Sequence, residues 1–220
     1  MSADAIDQKH RPLYARSRSQ AKGSASTSPT VLVLASGRGE RFRASGGTGS
    51  KLDALLAGRA VLERTLDAVR SSGLPWHIED AGHASMGDTI AAAVRATANA
   101  AGWLVLPADL PLLRPATLQQ VADSLQVGQA EGPAAVVPRY RGLRGHPVAF
   151  AACCRDALLA LEGKQGGSHV LRELEAKGNA VVELPLDDVG AVTDIDTLDD
   201  LRRAEALWLE RSAPPPASSC

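Results

Sequence analysis

The sequence predicts an α/β protein: a mostly parallel sheet with helices packed on both of its faces. Three observations carry this. Short apolar runs such as Val31–Leu34 and Trp103–Pro107 alternate with stretches whose apolar residues recur at helical spacing. Those runs end in glycine-rich or acidic turns, where open α/β sheets bind their ligands. At 220 residues, 45 % hydrophobic and 22 % charged, the chain also suits one domain with a sizeable core. Aromatic residues are only 3 %, which leaves that core to Ala and Leu.

The elements follow in order. Residues 1–29 are polar and Ser-rich, show no apolar period and read as a disordered leader. Residues 212–220 read as a similar tail, so 30–211 is the expected folded domain. Leu62, Leu66 and Val69 mark one face of a helix over about 59–72, closed by Gly73. Trp76–Asp80 reads as a short strand, and Asp88 or Thr89 opens an Ala-rich helix running to about Ala101, with Gly102 as its stop. Pro115 suits the first turn of a helix striped by Leu118, Val121, Ala122 and Leu125. Ala134–Pro138 and Pro147–Phe150 read as an antiparallel pair flanking an Arg-rich turn. Helices near 154–162 and 168–176 precede the strand Ala180–Leu184. Thr197-Leu-Asp-Asp200 is a capping box that starts the last helix. Asp187 and Asp188 read as a solvated turn.

Composition excludes several functions. A net charge of −1 supplies no field for nucleic acid. No apolar run approaches the roughly 18 residues of a membrane span, and no secretory signal opens the chain, so a cytoplasmic protein is expected. Cys153, Cys154 and Cys220 form neither a disulfide framework nor metal-ligand spacing, and the histidines lack an H-x-x-x-H pair for zinc.

Five segments carry chemistry, each beside a plainer role. Gly37-Arg-Gly-Glu-Arg-Phe42 follows a strand but has Phe where a dinucleotide fingerprint needs its third glycine. What remains is a turn of backbone N–H groups with Arg38 and Arg41, and Lys51 beyond a Gly-rich loop, a set suited to a triphosphate; the plainer role is an exposed loop. Ser85, Gly87 and the following helix start suit a base or phosphate, or simply a helix cap. Asp109, delivered to the carboxyl end of a strand and halted by Leu-Pro, suits Mg²⁺ or a structural turn. Asp194 and Asp196 alternate on one face of an extended segment, where a divalent cation would offset their repulsion. Arg139–Pro147, with three arginines and His146 in a Gly-punctuated turn, would receive an anionic substrate or makes no more than a charged hairpin.

Taken together and in order, these segments resemble the molybdenum-cofactor nucleotidyltransferase family, relatives of the nucleotide-sugar pyrophosphorylases, over most of residues 30–207. The family's leading L-A-A-G-x-S/G-x-R-F-G appears as Leu34-Ala-Ser-Gly-Arg-Gly-Glu-Arg-Phe-Arg43, and its K-L-L as Lys51-Leu-Asp53. Its G-M-G-x-S-L appears as Ser85-Met-Gly-Asp-Thr-Ile90 and its G-D-M-P as Ala108-Asp-Leu-Pro111. The cytidylyltransferase-like R-G-H-P-V stands unchanged at Arg144–Val148, as does D-I-D-T at Asp194–Thr197. The stretch before Ser85 is short by about one strand–helix unit, and Ala108 replaces a glycine.

The resemblance implies a three-layer αβα sandwich of the nucleotide-diphospho-sugar transferase, Rossmann-like type. It implies transfer of a nucleoside monophosphate from an NTP, with CTP the first choice, to the terminal phosphate of molybdopterin, releasing pyrophosphate. The nucleotide would be held by Leu34, Ala35, Ser36, Gly37, Arg38, Gly39, Arg41, Lys51, Ser85, Gly87 and Asp109. Lys51, Arg38 and Asp109 would be catalytic, Mg²⁺ would sit on Asp109 with Asp194 or Asp196, and Arg144 and His146 would meet the acceptor. A molybdoenzyme or its chaperone is the implied protein partner. The rival readings are GTP as donor, a sugar or alditol phosphate as acceptor, and a non-catalytic cofactor-binding chaperone.

Overall fold

Thr30–Leu34 forms β1, an uninterrupted buried strand from which the rest of the fold is laid out. The structure, a computed structural model, describes residues 27–37, 39–125 and 132–212. After β1 come α1 (Glu40–Ala44), the small hairpin β2 (Leu55–Leu56) and β3 (Arg59–Ala60), α2 (Val61–Ser71) and β4 (Trp76–Glu79). The chain continues through α3 (Met86–Ala96), β5 (Gly102–Pro107), α4 (Pro115–Ser124), β6 (Ala135–Tyr140), β7 (Leu143–Arg144) and β8 (Val148–Ala151). It ends with α5 (Arg155–Leu159), α6 (Gly167–Ala176), β9 (Val181–Pro185) and α7 (Leu198–Ser212). The leader and tail expected from the sequence lie almost wholly outside the described residues.

The main sheet runs β4-β1-β5-β8-β6-β7, with β9 paired to β6. β4 and β5 flank β1 in parallel, and β9 lies parallel to β6. β8 is antiparallel to both β5 and β6, which leaves β4, β1, β5, β6 and β9 all pointing one way. The mostly parallel sheet, and the antiparallel element near 134–150, are therefore as expected.

Alternation along the strands produces the three layers. Val31, Val33, Leu104 and Leu106 face Leu62, Leu66, Leu118, Val121 and Ala204, from α2, α4 and α7. Leu32, Leu34, Trp103 and Val105 face Ile90, Val94, Leu158, Val170 and Leu174, from α3, α5 and α6. The strands read as continuous apolar runs because both faces are covered.

Three expectations are corrected. α3 starts at Met86, ahead of Asp88, because Ser85 is the cap and its Oγ accepts from the Asp88 N–H at 3.3 Å. It also stops at Ala96, well before Ala101. Thr97 turns back to donate to the Ala93 carbonyl and receives the Trp103 indole N–H at 3.0 Å. Gly102 is thus the first residue of β5, where a side chain would collide with the Phe150 carbonyl and Leu125. Asp188, read as solvated, is 2 % exposed. It accepts from the Arg114 and Gly190 N–H groups, the Thr117 hydroxyl and the Arg211 guanidinium, tying the starts of α4 and of the 189–192 turn to the end of α7.

Candidate active site

A cleft of about 780 Å³ opens beyond the carboxyl ends of β4, β1 and β5, the position at which open parallel sheets bind ligands. β1 stops at Leu34, and Gly39, in the left-handed region at φ 61°, opens α1. β5 stops at Pro107, and Leu110-Pro111 turns the chain after Asp109 has been delivered to the cleft.

The chemistry gathers around Lys51. Its Nζ donates to Asp109 Oδ2 at 2.6 Å and to Asp196 Oδ1 at 2.8 Å. Arg41 pairs with the other Asp196 oxygen at 2.7 Å. Burial alone would lower the Lys51 ammonium, but the two carboxylates outweigh it and hold it above its ordinary value. Asp194 lines the same cleft. Its carboxyl is held above the usual carboxylate range by burial and by the nearby charges of Asp109 and Asp196. The backbone enforces this convergence: the Ile195 N–H donates to the Asp109 carbonyl at 3.0 Å, and Ile195 itself is wholly buried between the two acids. The capping box then pins the segment, with Asp200 accepting from Thr197 N–H at 2.8 Å and Thr197 Oγ1 accepting from Asp200 N–H at 3.2 Å.

The residues fit a divalent cation. Asp109 Oδ1 is buried without a hydrogen-bond partner, and an aligned carboxylate lone pair is what such an ion takes. Among the described residues no three His, Cys, Asp or Glu side chains converge on one metal position. Mg²⁺ seldom needs that many, since it is usually bound by one or two carboxylates with waters and substrate phosphates.

Of the nucleotide candidates, Leu34, Ser36, Gly37, Gly39, Arg41, Lys51, Ser85 and Asp109 line the cleft. Ala35 and Gly87 do not, and their N–H groups are already used: Ala35 donates to Glu79 and Gly87 to Gly163. Gly87 is required for packing, since a Cβ there would overlap the Glu162 backbone. Arg38 lies outside the described residues. Of the Arg-rich turn, Arg144 and His146 reach the cleft. Arg139 instead pairs with Glu183, and Arg141 stacks on Tyr140. Burial pushes the His146 imidazole below its ordinary value, against the charge of Asp109, and its Nδ1 is buried without a partner.

Sequence reasoning missed His83, Thr89 and Lys164, which also line the cleft. Lys164 lies in Gly163-Lys-Gln-Gly-Gly167, a glycine-rich turn that could have been flagged. His83 carried no local signal, because its partner Glu79 is recognisable only once β4 is placed.

The chain is similar to known proteins in sequence and in fold. A family model described as the MobA-like NTP transferase domain matches residues 67–178. A molybdenum cofactor guanylyltransferase of Cupriavidus metallidurans is 29 % identical over 195 residues, covering 80 % of this chain and 94 % of the relative. A nucleotidyl transferase from Methanothermobacter superposes with a TM-score of 0.68 at 21 % identity, over 85 % of this chain and all of the other. The Mycobacterium tuberculosis protein Rv0371c, crystallised in complex with manganese, superposes with a TM-score of 0.60 at 23 % identity, over 81 % of this chain and 98 % of that one.

Proposed function

The chain belongs to the family of MobA-like NTP transferase domains, and on that premise we propose that it transfers GMP from GTP to the terminal phosphate of molybdopterin, releasing pyrophosphate. The observation that carries this reading is the Lys51 ammonium held between Asp109 and Asp196 at the carboxyl edge of the sheet. An acceptor phosphate oxygen attacks the α-phosphorus, the bond to the bridging oxygen breaks, and the β- and γ-phosphates leave together. Nucleotidyl transfer of this kind needs positioning and charge neutralisation more than covalent help from the protein. An acceptor phosphate is already ionised near neutral pH, so no general base is required.

The chain's residues divide the work. The turn at Ser36–Gly39 with Arg41, and Arg38 by its place in the motif, would hold the leaving diphosphate. Lys51 would neutralise charge developing on the α-phosphoryl group. Asp109 with Asp196, and Asp194 beside them, would hold Mg²⁺, which when bound supplies charge neutralisation between nucleotide and acceptor. Arg144 and His146 would receive the acceptor.

GTP is preferred over the CTP that the sequence suggested because a relative sharing 195 residues with this chain is named a guanylyltransferase. The R-G-H-P-V run that pointed to CTP brings His146 beside Asp109, the metal end of the cleft. That run nevertheless keeps CTP as the second reading. Pyrophosphate release from each NTP, with and without molybdopterin and with Mg²⁺ present or chelated, tests the proposal. Release that depends on GTP, acceptor and metal together supports it. Release with an NTP alone, at the same rate without molybdopterin, would refute the acceptor assignment.

A further inference from the structure

The cleft has two chemically different ends. The Asp109 end, under β5, holds the charged groups Lys51, Arg41, Asp194 and Asp196. The opposite end lies under β4, two strand positions away across β1 and so about 10 Å distant. It is lined by Leu34, Ser36, His83, Ser85, Met86 and Thr89. Lys164, whose turn meets the start of α3 through the Gly87 N–H, also lines the cleft on this side; with the phosphates at the Lys51 end, the base falls here.

The hydroxyls there are already engaged. Ser85 Oγ caps α3 and bonds Asp88 at 2.5 Å, Thr89 Oγ1 donates to the Ser85 carbonyl at 2.8 Å, and Ser36 Oγ donates to the Glu79 carbonyl at 3.4 Å. His83 differs. Its Nε2 is 3.1 Å from Oε1 of Glu79, a carboxylate on a residue only 8 % exposed, which also accepts from the Ala81 N–H and faces His77 Nε2 at 3.4 Å. Where Glu79 accepts this bond, Nε2 is the donor, and the tautomer with its proton on Nε2 leaves a lone pair on Nδ1. The His83 side chain is 30 % exposed and lines the cleft, so the ring edge opposite Glu79 is open to a ligand.

We propose that His83, its tautomer fixed by Glu79, is the specificity-determining residue for the base, with Nδ1 accepting a hydrogen bond from an N–H on the Watson–Crick edge of guanine. The assignment rests on the GTP reading above. A site built to accept from a base N–H penalises a base that presents a carbonyl there, because two acceptors then face each other.

Calorimetric binding of Mg²⁺ with GTP, ATP, CTP and UTP to the wild-type chain, His83→Ala and His83→Asn tests it. His83→Ala is expected to weaken GTP by roughly tenfold, with the other nucleotides changed little, so that discrimination collapses. His83→Asn, whose amide oxygen can replace the Nδ1 acceptor, is expected to restore much of it; thermal melting of each variant checks the fold. Equal weakening of all four nucleotides, or full discrimination kept by His83→Ala, would overturn the proposal. A wild type that prefers CTP, with that preference lost in His83→Ala, would sink the guanine donor while supporting His83 as the residue that reads the base.

Discussion

The Lys51 ammonium rests 2.6 Å from Oδ2 of Asp109, a residue 58 positions further along the chain. Asp109 is fixed by β5, and Lys51 arrives from the loop between α1 and β2, so the contact closes the cleft from two independent elements. Only 11 % of the Lys51 side chain is exposed. The ammonium therefore offsets the mutual repulsion of Asp109, Asp194 and Asp196 in a partly desolvated site, where such a charge matters far more than on the surface. On the function proposed above, a triphosphate entering the cleft would offer the ammonium a new anion and leave the carboxylates to a divalent ion.

Removing that ammonium should have two measurable effects. Lys51→Met is expected to lower kcat by a factor on the order of 10² or more, since the charge it neutralises grows in the transition state. It should also tighten binding of Mn²⁺ in the absence of nucleotide, because the cation no longer competes with Nζ for Asp109 and Asp196. Titration of Mn²⁺ followed by electron paramagnetic resonance measures this directly. Equal Mn²⁺ affinity in the two proteins would show that ammonium and metal do not share a position.

Arg41 should behave differently. Its side chain is 76 % exposed and its partner Asp196 is 17 % exposed, so the pair adds little to stability. If the guanidinium holds the leaving diphosphate in ground and transition states alike, Arg41→Ala raises KM for the NTP more than it lowers kcat. Steady-state kinetics decide it: a large fall in kcat at unchanged KM would assign Arg41 to the transition state instead.

The strands, their direction and the acids at their tips were legible because apolar runs and terminal turns are local signals. The end of α3 was not, because alanines 98, 100 and 101 favour helix while Thr97 answers to Trp103, a tertiary partner. Asp188 was illegible for a similar reason. A pair of aspartates in a turn looks solvated until Arg114, the cap of α4, and Arg211 of α7 are placed around it. The candidate metal-ligand acids were visible as a pattern, whereas the meeting of Asp109 and Asp196 at Lys51 required the fold. Glu79 and His83 are separated by only four residues, yet their orientation toward the cleft depends on β4 lying beside β1.

Asp188 offers a test of structure apart from chemistry. It is nearly inaccessible and joins four groups, two at the start of α4, one in the 189–192 turn and one near the end of α7. Asp188→Ala leaves those donors and the Arg211 charge without their acceptor, and is expected to cost about 3–5 kcal/mol in urea unfolding. Activity per folded molecule should be retained, because Asp188 does not line the cleft. A stability loss below about 1 kcal/mol would mean that water replaces the carboxylate.

The most discriminating substitution is Asp109→Asn. The amide keeps the size of the carboxylate and can still accept from Lys51, but the charge that holds a metal is gone. Its Oδ1 is buried without a partner, so the side chain owes the fold one contact, to Lys51, and the site a second, free lone pair. Turnover should therefore fall by a factor on the order of 10² or more, as when metal-mediated charge stabilisation is lost, while the melting temperature stays near that of the wild type. A purely structural Asp109 makes the opposite forecast, with a lower melting temperature and normal activity per folded molecule. Measuring Mg²⁺-dependent pyrophosphate release and thermal unfolding on the same preparation separates them, and the metal-ligand role is falsified if the variant keeps near-normal Mg²⁺-dependent turnover.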